Sequence, residues 1–206
     1  MAYTFHEGER ALQERFDTAR LADRVSQMTK DTIDDRDRAF IEARDMFFLG
    51  TVDANGNVDV GYKGGEPGFV RVIDERTVVF PWYDGNGQFM GAGNIISSGK
   101  VGMLFIDFEN ARRMRVNGTA TIDFDDPLMA QYVEAQFVVR VRTEEVFPNC
   151  PRYIHKMELV QRSEFVPHAE CETPDPDWKD HFESELPASQ QARRAARRAQ
   201  AAGDGS

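Results

Sequence analysis

The stretch from Thr77 to Ile122, TVVFPWYDGNGQFMGAGNIISSGKVGMLFIDFENARRMRVNGTATI, constrains the fold of this chain more than any other. It reads as strand, glycine-rich turn, short helix, apolar strand, tight turn and basic alternating strand. Alternation of period two marks a strand with one buried face. From Arg112 to Ile122 it puts Arg113, Arg115, Asn117 and Thr119 on one face and Met114, Val116, Gly118 and Ala120 on the other. Backbone amides, amide side chains and arginines are thereby gathered around one concave region, which suits an anionic planar ligand.

The flanking sequence extends the same pattern. Before it, Leu12, Phe16, Ala19, Ala22, Val25 and Met28 recur at steps of three and four, predicting one amphipathic helix over 7–29 that lies on something. A second helix is predicted from Asp34 to about Arg44, with Asp34 or Asp35 as cap. The period then changes. Met46–Val52 reads as a buried strand, Asn55-Gly56 as a hairpin turn, and Val58–Lys63 as the return strand. That strand carries Val58, Val60 and Tyr62 on one face and Asp59, Gly61 and Lys63 on the other. FVRVI and TVVFPWY follow, the second expected to end or bulge at Pro81, which cannot donate to a ladder. A helix is expected over Gln88–Ser98 with Gly99 as its stop, then VGMLFIDF as a central strand. Asp126-Pro127 is expected to open a helix to about Ala135, before the strand FVVRVRTEEVF. Short strands at near-hairpin spacing with one inserted helix predict a mostly β protein with peripheral helices, an antiparallel barrel. The expected organisation is a helical segment over 1–45, the barrel over 46–172 and a C-terminal extension over 173–206. The extension ends in ASQQARRAARRAQAAGDGS, which has no large apolar residue, so a frayed, partly disordered tail or a marginal helix is expected.

Composition narrows the function. The net charge of −10 argues against nucleic acid or anionic membrane as a partner. No apolar run approaches the roughly 20 residues that span a bilayer. MAYTFHEGER lacks the basic start and apolar core of a secretory signal, so a cytoplasmic location is expected. Cys150 and Cys171 form neither a disulfide framework nor a metal motif. His6, His155, His168 and His181 lack ligand spacing, so no metal site is expected.

Four groups of residues could carry chemistry. Asp84-Gly85-Asn86-Gly87 leads into a helix whose N-terminal amides can meet an anion; taken alone, it reads as a plain turn with a glycine-rich helix cap. It is a poor dinucleotide fingerprint, because Gly91 comes one residue late for GxGxxG and no second βαβ unit follows. Lys63, just before Gly64 and Gly65, could reach a phosphate as a point charge or be an exposed edge lysine. Arg113 and Arg115 with Asn117 need an acidic partner, an interface or an anionic ligand. Asn86 and Asn94 could bond phosphate, hydroxyls or a ring edge, or cap turns. The aromatics Phe80, Trp82, Tyr83 and Phe89 could pack on a planar ring, although core roles are commoner. Cys150 reads as structural, since nothing nearby resembles CxxC.

The segments FLGTVDANGNVDVGYKGGEPGFVRV, TVVFPWYDGNG, GNII, VGMLFIDF, RRMRVNG and VFPNCPRYIHKM together resemble the flavin-binding proteins related to pyridoxamine 5'-phosphate oxidase. The likeness covers roughly Asp45 to Met157. It implies an antiparallel FMN-binding split β-barrel, assembled as a homodimer with the cofactor at the interface. By position it implies contacts from Gly61, Tyr62, Lys63 and Gly64, from Phe80 and Pro81, from Asn86 and Asn94 around the phosphate-binding turn, and from Arg113 and Arg115 near the isoalloxazine. Two departures stand out. The Ser-Arg-Lys phosphate motif of the true oxidases is replaced by Gln88-Phe89-Met90, and their C-terminal tryptophan and arginine signature is absent. Vitamin B6 oxidation is therefore not expected. The expectation is an FMN-dependent oxidoreductase acting through flavin N5 on an unassigned small-molecule substrate, with NAD(P)H a candidate reductant and no catalytic side chain assigned. F420 would present a similar ring and phosphate. The alternative is a non-catalytic protein that binds flavin, F420 or haem for storage or sensing.

Overall fold

A computed structural model describes residues 3–203. The chain divides into two compact units, one running to Val160 and the other from Gln161.

The first unit is built on seven strands: β1 Met46–Val52, β2 Val58–Gly64, β3 Arg71–Asp74, β4 Thr77–Trp82, β5 Lys100–Asp107, β6 Arg112–Asp123 and β7 Phe137–Asn149. All neighbours are antiparallel, in the order β2-β1-β5-β6-β7-β4-β3. Four helices accompany them: α1 Glu7–Arg15, α2 Ala19–Ser26, α3 Asp35–Glu42 and α4 Met90–Ser98. The sheet rolls up. Phe47 of β1 meets Phe80 of β4 edge-on at 5.1 Å, although three strands separate them in the ladder. Lys63 of β2 likewise reaches Trp82 of β4. Closing the sheet on itself lets one continuous apolar face bury Phe47, Leu49, Phe80, Met103, Phe105 and Val116 almost completely. Gly118 sits at a bulge in the β6–β7 pair. A Cβ there would lie 2.1 Å from the Arg142 carbonyl oxygen, so only glycine fits.

Several local expectations need correction. The single helix over 7–29 is two, broken where Asp17 adopts φ 51°. Its stripe is therefore discontinuous: Leu12, Phe16, Val25 and Met28 are all exposed, and only the last two also line a cleft. The third helix is as expected, capped by Asp34, whose carboxylate accepts from the Arg36 and Asp37 amides. β4 does not end at Pro81 but pairs on to Trp82. The reason is that β3 stops pairing at Val79, so proline faces no ladder on that side. α4 starts at Met90, two residues later than expected, because Phe89 takes a left-handed φ of 50°. The segment after Asp126 is a five-residue 3-10 turn rather than a helix to Ala135.

The second unit holds a 3-10 helix, Asp177–Glu185, and the helix α5, Ala188–Gly203. Its described part is helical rather than frayed, and charge explains why. Arg194 pairs with Asp175 and Asp180, Arg197 with Glu172 and Asp175, and Arg198 with Glu183. The acidic stretch supplies the partners that apolar residues could not.

Candidate functional site on the outer face of the sheet

Because the sheet has one buried face, the residues of β1, β2, β5, β6 and β7 that alternate with the core form an outer face. The register aligns them in rows across five strands. One row runs Tyr62, Phe48, Leu104, Arg115, Phe147; the next runs Val60, Gly50, Gly102, Asn117, Glu145. Gly50 and Gly102 stand side by side in two central strands. Together they open a window without side chains, flanked by Val60 and Asn117. Glycine inside a strand weakens it, and commonly marks a place where a ligand or another backbone comes close. A third row places Arg113 opposite Asn149. The Nε of Arg113 and the Oδ1 of Asn149 are both buried without a hydrogen-bond partner. Asn117, by contrast, donates to Glu145 at 2.8 Å.

Beside these rows lies a cleft of about 330 Å³. Phe5, Val25 and Met28 from the N-terminal segment form one wall, and Arg115, Asn117 and Asn149 form the other. Its size is that of a small ligand site. Cys150, the residue after Asn149, is exposed, and its Sγ accepts from Arg152 Nε at 3.2 Å. The Arg152 backbone and side-chain donors, with the charges of Arg152 and Arg113, hold this thiol below its usual pKa.

The remaining expected residues lie elsewhere. Gly61 and Lys63 face inward from β2, on the side of the sheet opposite Arg113 and Arg115. The Lys63 Nζ sits 3.7 Å above the Trp82 ring. Burial lowers its pKa, against a smaller opposing pull from Asp59. Lys63 is therefore neither a free phosphate hook nor an exposed edge lysine. Tyr62 is exposed on the outer face, edge-on to Phe48 at 6.1 Å, and its ring lies over the end of the strand at Gly64. Phe80 is fully buried against Phe47 and offers no surface to a ligand, and Pro81 is buried opposite Val138. Asn86 accepts from the Gln88 amide, an ordinary turn cap. Asn94 donates to Thr51 at 3.0 Å, tying α4 to β1. Trp82 stacks on Phe137, with Phe89 and Phe124 around the same ring. Of the residues singled out from the sequence, Arg113, Arg115 and Asn117 share this face, while Gly50, Gly102 and Asn149 beside them were not singled out. The two glycines carried a signal, since each interrupts an otherwise apolar strand; Asn149 carried none without the register.

The family model for pyridoxamine 5'-phosphate oxidase matches residues 33–157, which hold all seven strands. The chain belongs to this family. Its fold is accordingly the family's antiparallel split β-barrel, mostly β with peripheral helices. No curated protein sequence matches the chain. Among solved structures, a putative pyridoxamine 5'-phosphate oxidase from Lactobacillus delbrueckii is similar at 27% identity and a TM-score of 0.47, over 57% of this chain and 95% of that one. HupZ from Group A Streptococcus is similar at 22% identity and 0.46, over 61% and 99%. An FMN-binding protein from Syntrophomonas wolfei is similar at 13% identity and 0.44, over 68% and 97%.

Proposed function

We propose that this family member is an FMN-dependent oxidoreductase that works as a homodimer, with the flavin on the outer face of the sheet. The observation that carries this reading is the Gly50–Gly102 window, bare of side chains and beside the Arg113, Arg115 and Asn117 face of β6. Guanidinium groups next to such a window suit an electron-rich ring edge. The surroundings fit such a ring. The Gly50–Gly102 window is flat, Val60 and Leu104 border it with apolar surface, and Arg115 adds a second guanidinium. Bound FMN supplies hydride or electron transfer through its N5. Arg113 and Arg115 favour the negative charge that a reduced flavin carries near N1 and the C2 carbonyl.

The homodimer is supported by the exposed stripe Val58, Val60 and Tyr62 at the edge of the same face, each more than 60% exposed. Purified protein should show a flavin absorbance band, or gain one on titration with FMN, at one per chain. Arg113→Ala should weaken FMN binding about tenfold, the scale of one hydrogen bond to a charged group. Colourless protein that binds no FMN would overturn the reading. Bound flavin that NAD(P)H does not reduce would move it to storage or sensing, with F420 and haem the next ligands to try.

A further inference from the structure

The helix α5 is docked by charge where a helix is ordinarily docked by apolar burial. Ala188–Gly203 carries alanines, glutamines and arginines and no large apolar side chain. Of its described residues only Arg194 is buried, at 5% exposure. A helix gains most of its stability from packing an apolar face, and a free helix of this length is marginal in water. Here the packed face is basic: Arg193, Arg194, Arg197 and Arg198 form two adjacent i,i+4 rows on one side of the helix. Two carboxylates hold most of them. Asp175 meets Arg193 at 3.7 Å, Arg194 at 3.4 Å and Arg197 at 3.1 Å. Asp180 meets Arg194 and Arg198. Glu172 adds a pair to Arg197, and Glu183 one to Arg198.

We propose that α5 and the acidic stretch 172–183 form an electrostatic latch, closed at low ionic strength and opened by salt while the barrel stays folded. Burial of Arg194 is offset only through its ion pairs, since its Nε has no hydrogen-bond partner. The acidic members of the network nevertheless reach into water. The side chains of Glu172, Asp180 and Glu183 are 58%, 57% and 40% exposed. Pairs at such a surface are screened, over a distance that falls to about 3 Å at about 1 M salt. The first unit has an apolar core, which carries no charge to screen. Opening frees four arginines on one helix side and the carboxylates that held them. The latch stands independently of the flavin.

Hydrogen exchange of the full chain, read by mass spectrometry at about 0.05 M and about 1 M sodium chloride, follows the two units separately. In wild type, α5 peptides should exchange about tenfold or more faster at the higher salt, with β6 and β7 peptides unchanged. Asp175→Asn together with Asp180→Asn leaves like charges facing each other at i,i+4 and should give the fast rate at both salts. Asp177→Asn together with Glu185→Gln makes the same change in net charge at two acids outside the network, and should respond to salt as wild type does. Equal protection of α5 at both salts overturns the proposal, because something other than charge then holds the helix. No protection at either salt overturns it as well, since nothing is then latched. So does a rise shared by β6 and β7, which makes the opening global, or fast exchange in the second double variant, which makes net charge rather than pairing the cause. The wild-type arm needs no variant to fold.

Discussion

The two faces of one sheet differ in almost every physical respect. The inner face is apolar and closed: Phe47, Phe80, Phe105, Met103 and Val116 are at most 1% exposed. Even its buried carboxylate is fully partnered, Asp107 receiving Arg112 at 2.8 Å and two donors from Asn110. The outer face, carried by the same backbone hydrogen bonds, has two glycines where side chains would stand, a donor and an acceptor without partners, and valines and a tyrosine in water. Ladder pairing is indifferent to which face is buried, so it can support both. Stability is concentrated inside, and the outside is left free for the proposed recognition.

That contrast can be broken most forcefully from the inside. Phe47→Ala removes a ring that touches Phe69, Phe80 and Phe105, and should cost about 4 kcal/mol by the usual cost of emptying a phenylalanine site. Chemical denaturation measures it, and flavin affinity of the folded fraction should stay the same. If affinity fell in step with stability, the two faces would not be separable. Gly118→Ala should follow at roughly 3 kcal/mol, because the added methyl meets backbone rather than a side chain that can move.

Acid probes the inner face without a mutation. Burial pushes the Asp107 carboxyl up, but Arg112, Asn110 and the charge of Arg44 outweigh it and hold it at about 2. The folded value lies below the ordinary 3.8, so this stabilisation is present above about pH 4 and is lost as pH falls through 2. The linked contribution is roughly 2 kcal/mol. Asp107→Asn should flatten the fall in denaturation midpoint between about pH 4 and 2. An unchanged slope would mean that other carboxylates carry it.

How much of this was legible in the sequence follows the same division. Period-two alternation fixed which residues of β6 face inward, and Met46–Val52 was delimited to the residue, because core burial writes itself into hydropathy. The break at Asp17 was invisible, since no glycine or proline announces a left-handed residue there. The site was only half legible. Arg113 and Arg115 stood out as charges on an alternating strand. Asn149 acquires meaning only opposite Arg113, through a register reset by the bulge at Asn117 and Gly118. The pairing of α5 with the acidic stretch before it likewise depends on folding that brings Glu172 and Asp175 to Arg197.

The smallest expected change in stability is the sharpest test of the contrast. In Gly102→Ala the new Cβ would lie 3.2 Å from Asn117 Oδ1, a side-chain atom at the surface rather than backbone. That crowding works against the gain of about 0.4–1 kcal/mol expected when glycine is replaced where its backbone suits alanine. The two nearly cancel, and denaturation should shift by no more than about 0.5 kcal/mol. If the flavin lies as proposed, its affinity should nonetheless fall about tenfold, because the methyl projects into the window. A mutation silent in stability and loud in binding is what a face built for recognition predicts. If Gly102→Ala binds FMN like wild type, the window is not where the ring lies. Its glycines would then serve the approach of the second copy's backbone, which the dissociation constant of the dimer would report.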